Sequence, residues 1–147
     1  MIISRTPLRI SFFGGGTDYK EWYSNNGGSV INTSINKYNY FNVIFLPPFF
    51  KYKNCIRYFK REETNSVQAI KHASVRETLK FLKCDGGIEM VHNADLPARG
   101  GLGSSSSFTV GFLNAVWSLM GKIPTKKDLA NTAIFIEQKK IKEFVGS

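Results

Sequence analysis

Apolar and polar positions alternate along the first part of the chain and later fall into helical spacing. Residues 8–13, Leu8-Arg9-Ile10-Ser11-Phe12-Phe13, predict a strand that runs into Gly14-Gly15-Gly16. A short helix is expected over 18–24, ended by Gly27-Gly28, where glycine suits the left-handed cap. Residues 29–46 are rich in Val, Ile, Tyr, Phe and Asn and predict one long strand or two, ended by Pro47-Pro48. Another strand is expected over 55–60. From 66 to 83 the spacing of Val67, Ile70, Val75, Leu79 and Leu82 predicts a helix, which Gly86-Gly87 stops. A short strand over 88–92 leads into a polar, glycine-rich stretch, 93–103. A helix follows over 104–120, with Phe108, Phe112, Ala115, Val116 and Leu119 on its buried side and Gly121 at its end. Thr125 and Asp128 have the spacing of a capping box, and open a last helix expected to run to 138. Strands come first and helices later, without strict alternation, which predicts an α+β fold rather than a doubly wound sheet.

Composition narrows the picture modestly. At 147 residues and 42% hydrophobic, the chain is the size of one domain with enough apolar material for a core. Pro7 and Arg9 interrupt the N-terminus before a secretory signal could form, and the longest apolar run, 43–50, is too short to span a bilayer. A soluble, cytoplasmic protein is expected, with no membrane partner. Cys55 and Cys84 have no metal-ligand spacing and are expected as free thiols. The net charge of +9 favours an anionic ligand without choosing one. The densest basic cluster, Lys51, Lys53, Arg57, Lys60 and Arg61, is interleaved with Tyr52, Tyr58 and Phe59. Such a pattern suits single-stranded nucleic acid. It equally suits a β-hairpin with a solvated basic face, which the strand-like alternation favours.

The strongest local signal is Arg99-Gly100-Gly101-Leu102-Gly103-Ser104-Ser105-Ser106-Ser107. Glycines directly before a helix allow close backbone approach, and the free N–H groups of the first turn favour a polyphosphate. A serine hydroxyl there can reach a magnesium ion on the same phosphates. No Lys-Ser or Lys-Thr follows, so this is not a Walker A loop, and the spacing is wrong for a dinucleotide fingerprint. A serine-capped helix after a flexible loop is the competing reading. Four serines in succession, however, are poor helix formers. Near the N-terminus, a strand ends in a triple-glycine turn that presents Thr17 and Asp18. The Asp18 carboxylate can accept hydrogen bonds from sugar hydroxyls, or simply cap the turn.

Together these stretches resemble the GHMP family of small-molecule kinases. Gly101-Leu102-Gly103-Ser104-Ser105 matches its phosphate-loop motif, and Arg9 and Asp18 fall on the arginine and aspartate of the galactokinase signature. Gly15-Gly16 replaces the Glu-His pair of that signature. The form Arg5-Thr6-Pro7-Leu8-Arg9 followed by three glycines is most similar to D-glycero-D-manno-heptose 7-phosphate kinases. The resemblance implies a GHMP kinase N-terminal domain, a ribosomal protein S5 domain 2-like fold with a mixed sheet packed on helices. It implies phosphoryl transfer from ATP to a sugar phosphate, at the anomeric hydroxyl of the heptose. ATP would lie on Arg99, Gly100, Gly101, Leu102, Gly103, Ser104, Ser105 and Ser106. Magnesium would be held by Ser105 and Glu137, the sugar by Gly15, Gly16, Thr17 and Asp18, and Arg9 would act on the transferring phosphoryl.

By the same resemblance residues 1–147 form the first half of a kinase. The base-bearing segment and the C-terminal domain are missing from them, and the chain alone is expected to be inactive. On local pattern, Glu137 reads as readily as a surface glutamate near a helix end, and His72 and His92 as structural or surface residues. A basic nucleic-acid-binding domain of the same fold family is the alternative, with the 51–61 cluster as its surface. It leaves the glycine-serine loop and Asp18 unexplained.

Overall fold

A computed structural model describes residues 1–97 and 100–141, with the backbone alone at positions 18 and 20. Among these residues five strands form one mixed sheet: β1 (Ile2–Phe13), β2 (Ile31–Phe45), β3 (Asn54–Arg57), β4 (Arg61–Thr64) and β5 (Ile88–Ala94). Their spatial order is β1-β2-β5-β3-β4. Only β3 and β5 run parallel; the other neighbours are antiparallel. Among the described residues four α-helices accompany them: α1 (Lys20–Asn26), α2 (Ala73–Phe81), α3 (Ser104–Leu119) and α4 (Lys126–Phe135).

One face of the sheet is packed and the other open. Phe41, Val43, Ile56, Ile88 and Met90 point into a core shared with Val75, Leu79, Phe108, Phe112 and Val116. The alternate positions Arg5, Asn42, Arg57, Arg61 and Glu63 are exposed, the period-two pattern of a half-covered sheet. Helix α3 lies across β1 and β2. It comes close enough that a Cβ on Gly111 would sit 2.5 Å from both Phe41 Cε2 and Thr6 Oγ1. Gly111→Ala is therefore expected to destabilise the fold by about 1–3 kcal/mol from overpacking, despite a helix-propensity gain of about 1 kcal/mol. Urea unfolding measures this directly, and an Ala variant as stable as the parent would contradict the packing.

The first strand is longer than expected, beginning at Ile2 rather than Leu8. It is an edge strand, where Pro7 costs no ladder bond, and its register against β2 shifts between Pro7 and Arg9. The stretch 29–46 is one strand, β2, not two. The helix expected over 66–83 is divided. Val67–Ala69 make a single 3₁₀ turn, Ile70 is extended, and α2 starts at Ala73. The reason lies outside the stretch. Glu62 on β4 accepts hydrogen bonds from the backbone N–H of Lys71 (2.6 Å) and His72 (3.1 Å) and from the Tyr58 hydroxyl (2.7 Å). Those backbone donors are thereby drawn out of helical geometry. Burial opposes ionisation of Glu62, but these bonds hold its carboxyl below the ordinary value. Tyr58, partly buried and donating to that carboxylate, is pushed up to about 12.

The end of the last helix also differs. The Thr125–Asp128 capping box forms as expected, but α4 ends at Phe135 and the chain continues as a π-helical turn, Ile136–Ile141. The basic, aromatic cluster of 51–61 falls mainly on the β3–β4 hairpin, at the opposite edge of the sheet from β1. Among the described residues Cys55 and Cys84 are free thiols, half-buried and buried respectively. No helix among them is long and apolar enough to cross a membrane.

Candidate active site

The glycine-serine loop forms a helix N-terminus that is left open. Gly101 and Gly103 both take left-handed backbone angles, φ 69° and 67°, which side-chain-bearing residues rarely adopt. Gly103 is the N-cap of α3 and supplies no side-chain cap, and no acidic residue stands in the first turn. The first helical bond runs from the Ser107 N–H to Gly103 O at 3.0 Å. The preceding N–H groups of Ser104, Ser105 and Ser106 are those a helix leaves without internal partners. The serine-capped alternative is thus not what forms: the cap is glycine.

The N-terminal motif is brought onto this loop. Arg9 N–H donates to Leu102 O at 3.0 Å, and the Arg9 side chain lies against Gly103, where a Cβ would meet its Cγ at 2.8 Å. The Arg9 guanidinium also donates to the Ser11 hydroxyl. Arg9, Ser11, Gly15, Tyr19, Gly101, Gly103, Ser104, Ser105 and Ser106 line one cleft of about 330 Å³. Both motifs therefore face the same space, although the sequence separates them widely.

The triple glycine is a 3₁₀ turn, Gly15–Asp18, entered through Gly14 at φ 83°. Thr17 holds the turn: its hydroxyl donates to Gly14 O at 2.7 Å and accepts from the Ser29 N–H at 3.2 Å. Its expected contact with sugar thus competes with a structural task. The backbone of Asp18 belongs to this turn; its side chain lies outside what the structure describes, as does Arg99.

Glu137 is not a surface residue. It is 4% exposed, on the first turn of the π-helical segment. One carboxylate oxygen accepts from the Ser106 hydroxyl at 3.3 Å, and the other has no hydrogen-bond partner. Burial raises its carboxyl above the ordinary value, and the nearby Thr109 and Ser106 hydroxyls offset part of that rise. The hydroxyl that meets Glu137 is that of Ser106; Ser105 is exposed on the cleft side. No group of three or more His, Cys, Asp and Glu among the described residues has the arrangement of a metal site.

Two residues escaped the sequence reading of the site. Asn39, on β2, contacts the first turn of α3 with its side chain, and His92, on β5, bonds that side chain. Neither lies in a motif, and a lone Asn in a strand gives no sequence signal.

The family model described as GHMP kinases N terminal domain matches residues 64–145. The chain belongs to this family. Its fold is similar to that of a D-glycero-D-manno-heptose 1-phosphate kinase from Bacteriodes thetaiotaomicron, at 21% identity and a TM-score of 0.84, covering 99% of this chain and 51% of that one. It is also similar to Lactococcus lactis galactokinase complexed with galactose, at 21% identity and TM-score 0.68, covering 98% of this chain and 39% of that one. A third similar structure is Streptococcus pneumoniae phosphomevalonate kinase with phosphomevalonate and AMPPNP, at 14% identity and TM-score 0.68, with 96% and 44% covered. The chain spans about half the length of the first of these GHMP kinases. No curated protein sequence matches it.

Proposed function

We propose that this GHMP domain binds the phosphates of ATP at the α3 N-terminus and takes part in phosphoryl transfer to a sugar phosphate. The observation that carries the reading is the uncapped helix start, formed by left-handed glycines and opening on a cleft shared with Arg9 and Gly15. Phosphoryl transfer asks little covalent chemistry of the protein and much positioning and charge neutralisation. The N–H groups of Ser104 to Ser106 hold phosphate oxygens, and the Arg9 guanidinium neutralises charge on the transferring group. Asp18 and the backbone of Gly15 and Gly16 hold the acceptor. Magnesium fits this donor set, because Glu137 offers a buried carboxylate oxygen without a hydrogen bond beside the serine turn. Ser105 and Glu137 are the residues that would hold it, and it would supply charge neutralisation of the phosphates.

The acceptor we favour is D-glycero-D-manno-heptose 7-phosphate, supported by the Gly15-Gly16 replacement and by the net charge of +9, which suits an anionic sugar. As part of the same proposal, residues 1–147 serve as the nucleotide-binding domain, and a further domain completes the acceptor cleft. The test is sugar-dependent ADP release by the enzyme containing this domain, with heptose 7-phosphate, galactose and mevalonate compared. Ser105→Ala is expected to lower the rate by about ten- to a hundredfold at limiting magnesium, the worth of one contact to a charged group. An unchanged rate would remove Ser105 from the metal site.

A further inference from the structure

We infer that Asn39 is a positioning residue that sets the first turn of α3, with His92 fixing the direction of its amide. The inference rests on the phosphate-binding reading of that turn. Asn39 is 2% exposed, on β2 between β1 and β5. Its Nδ2 donates to the Ser107 hydroxyl at 3.0 Å and to the Ser104 carbonyl at 3.4 Å. Its Oδ1 lies 3.0 Å from His92 Nε2. The Ser107 hydroxyl passes its own proton on to Thr6 O at 3.3 Å, so the turn is tied to β1 as well.

This arrangement addresses a specific weakness of the site. A glycine N-cap and four serines make a poor helix start, with no side-chain cap to stiffen it. The N–H groups that must face phosphate therefore need to be aimed from outside the helix. Asn39 holds both ends of the first turn, the Ser104 carbonyl and the Ser107 side chain, from a strand paired on both sides. An amide is suited to this because one end donates and the other accepts. The Ser104 carbonyl takes the donating end, and His92 holds the accepting end in place. The His92 ring is half-buried against Phe41 and Phe108, and that partial burial, with His72 nearby, lowers its pKa to about 4. At neutral pH the ring is therefore uncharged; Nδ2 faces the Ser104 carbonyl, which can only accept, so Oδ1 faces His92 and the ring fits as the Nε2–H tautomer, donating to Oδ1.

The test is NMR on the chain, with amide hydrogen exchange followed by titration with magnesium and AMPPNP. In Asn39→Ala, exchange at the Ser107 amide is expected to speed up by about tenfold or more, the worth of a buried hydrogen-bond pair, while the β1–β2 ladder is unchanged. Shift changes at Ser104 to Ser106 on nucleotide addition should need about tenfold more nucleotide. Asn39→Asp supplies a readout that a merely structural role would not move. Its carboxylate cannot donate to the Ser104 carbonyl and would favour imidazolium, so the His92 titration should move up from about 4 while the turn loosens as in the Ala variant. His92→Gln keeps a donor and should keep most of the affinity. Should Asn39→Ala fail to fold, Ser107→Ala removes the 3.0 Å contact with Asn39 together with the bond to Thr6 O, leaves the Asn39 bond to the Ser104 carbonyl, and carries the same comparison. Unchanged exchange at the first turn in Asn39→Ala or Ser107→Ala would overturn the inference. A parent chain whose Ser104 to Ser106 amides ignore the nucleotide would instead overturn the phosphate reading, and with it the functional half of the inference.

Discussion

Glu137→Gln is expected to make the protein more stable at neutral pH and much less active. The carboxyl is buried, with one oxygen accepting from Ser106 and the other without a hydrogen bond, and burial raises its pKa. An acid whose pKa is higher folded than unfolded binds its proton more tightly in the folded state. It therefore costs nothing below the unfolded value of about 4.5. The cost grows as pH rises through the interval between the unfolded and the raised folded value, and stays constant above it. Glutamine has nothing to ionise. It can accept from Ser106 and donate to the nearby Thr109 hydroxyl. The gain should be about 1 kcal/mol, a few degrees in Tm, at pH 7 and should vanish in acid. Phosphoryl transfer by the enzyme containing this domain should fall by about a hundredfold or more if Glu137 holds the metal, as for loss of one preorganised charge contact. Thermal unfolding across pH, alongside turnover against magnesium, separates the two effects. A Gln variant less stable than the parent at neutral pH would show a carboxylate serving the fold, and the functional reading of Glu137 would fall.

That contrast marks what the sequence could and could not disclose. Helix α3 was readable because its apolar positions keep one period from Phe108 to Val116, and α4 because Thr125 and Asp128 form a local cap. The phosphate loop was readable because its requirements are local: glycine where φ is positive, then a helix start. Elsewhere the deciding partner is distant. The break before α2 is imposed by Glu62 on another strand, although Val67, Ile70, Val75 and Leu79 are all buried as their spacing suggested. Glu137 is buried by a π turn, and apolar periodicity is read against an α repeat that such a turn breaks. Asn39 acts through the face of a strand against a helix that begins far along the chain. Sequence spacing carries no trace of such a contact.

The glycines of the N-terminal turn, alike in sequence, are expected to divide sharply on mutation. A Cβ on Gly14 would lie 1.8 Å from Ser29 O, a backbone atom held by its neighbours, and φ there is 83°. Neither the clash nor the left-handed angle can be relieved without moving the start of β2. Gly14→Ala should cost about 3 kcal/mol or more and displace the turn that carries Thr17 and Asp18. Acceptor use should collapse, while nucleotide binding at α3, anchored separately through Asn39 and Leu102, should survive in whatever fraction folds. Gly16 is the opposite case. A Cβ there would meet nothing within 4 Å, and its φ is not in the left-handed region. Gly16→Ala should leave stability within about 0.5 kcal/mol of the parent, or raise it slightly through the unfolded state. Any loss it causes must then come from a ligand that needs the space. If a sugar phosphate rests on this turn, Gly16→Ala raises the acceptor KM without changing the KM for ATP. Steady-state kinetics on both variants, with urea unfolding as the control, distinguishes the two roles. If Gly16→Ala leaves the acceptor KM alone, the sugar does not approach that backbone, and the acceptor site must be sought away from the triple glycine.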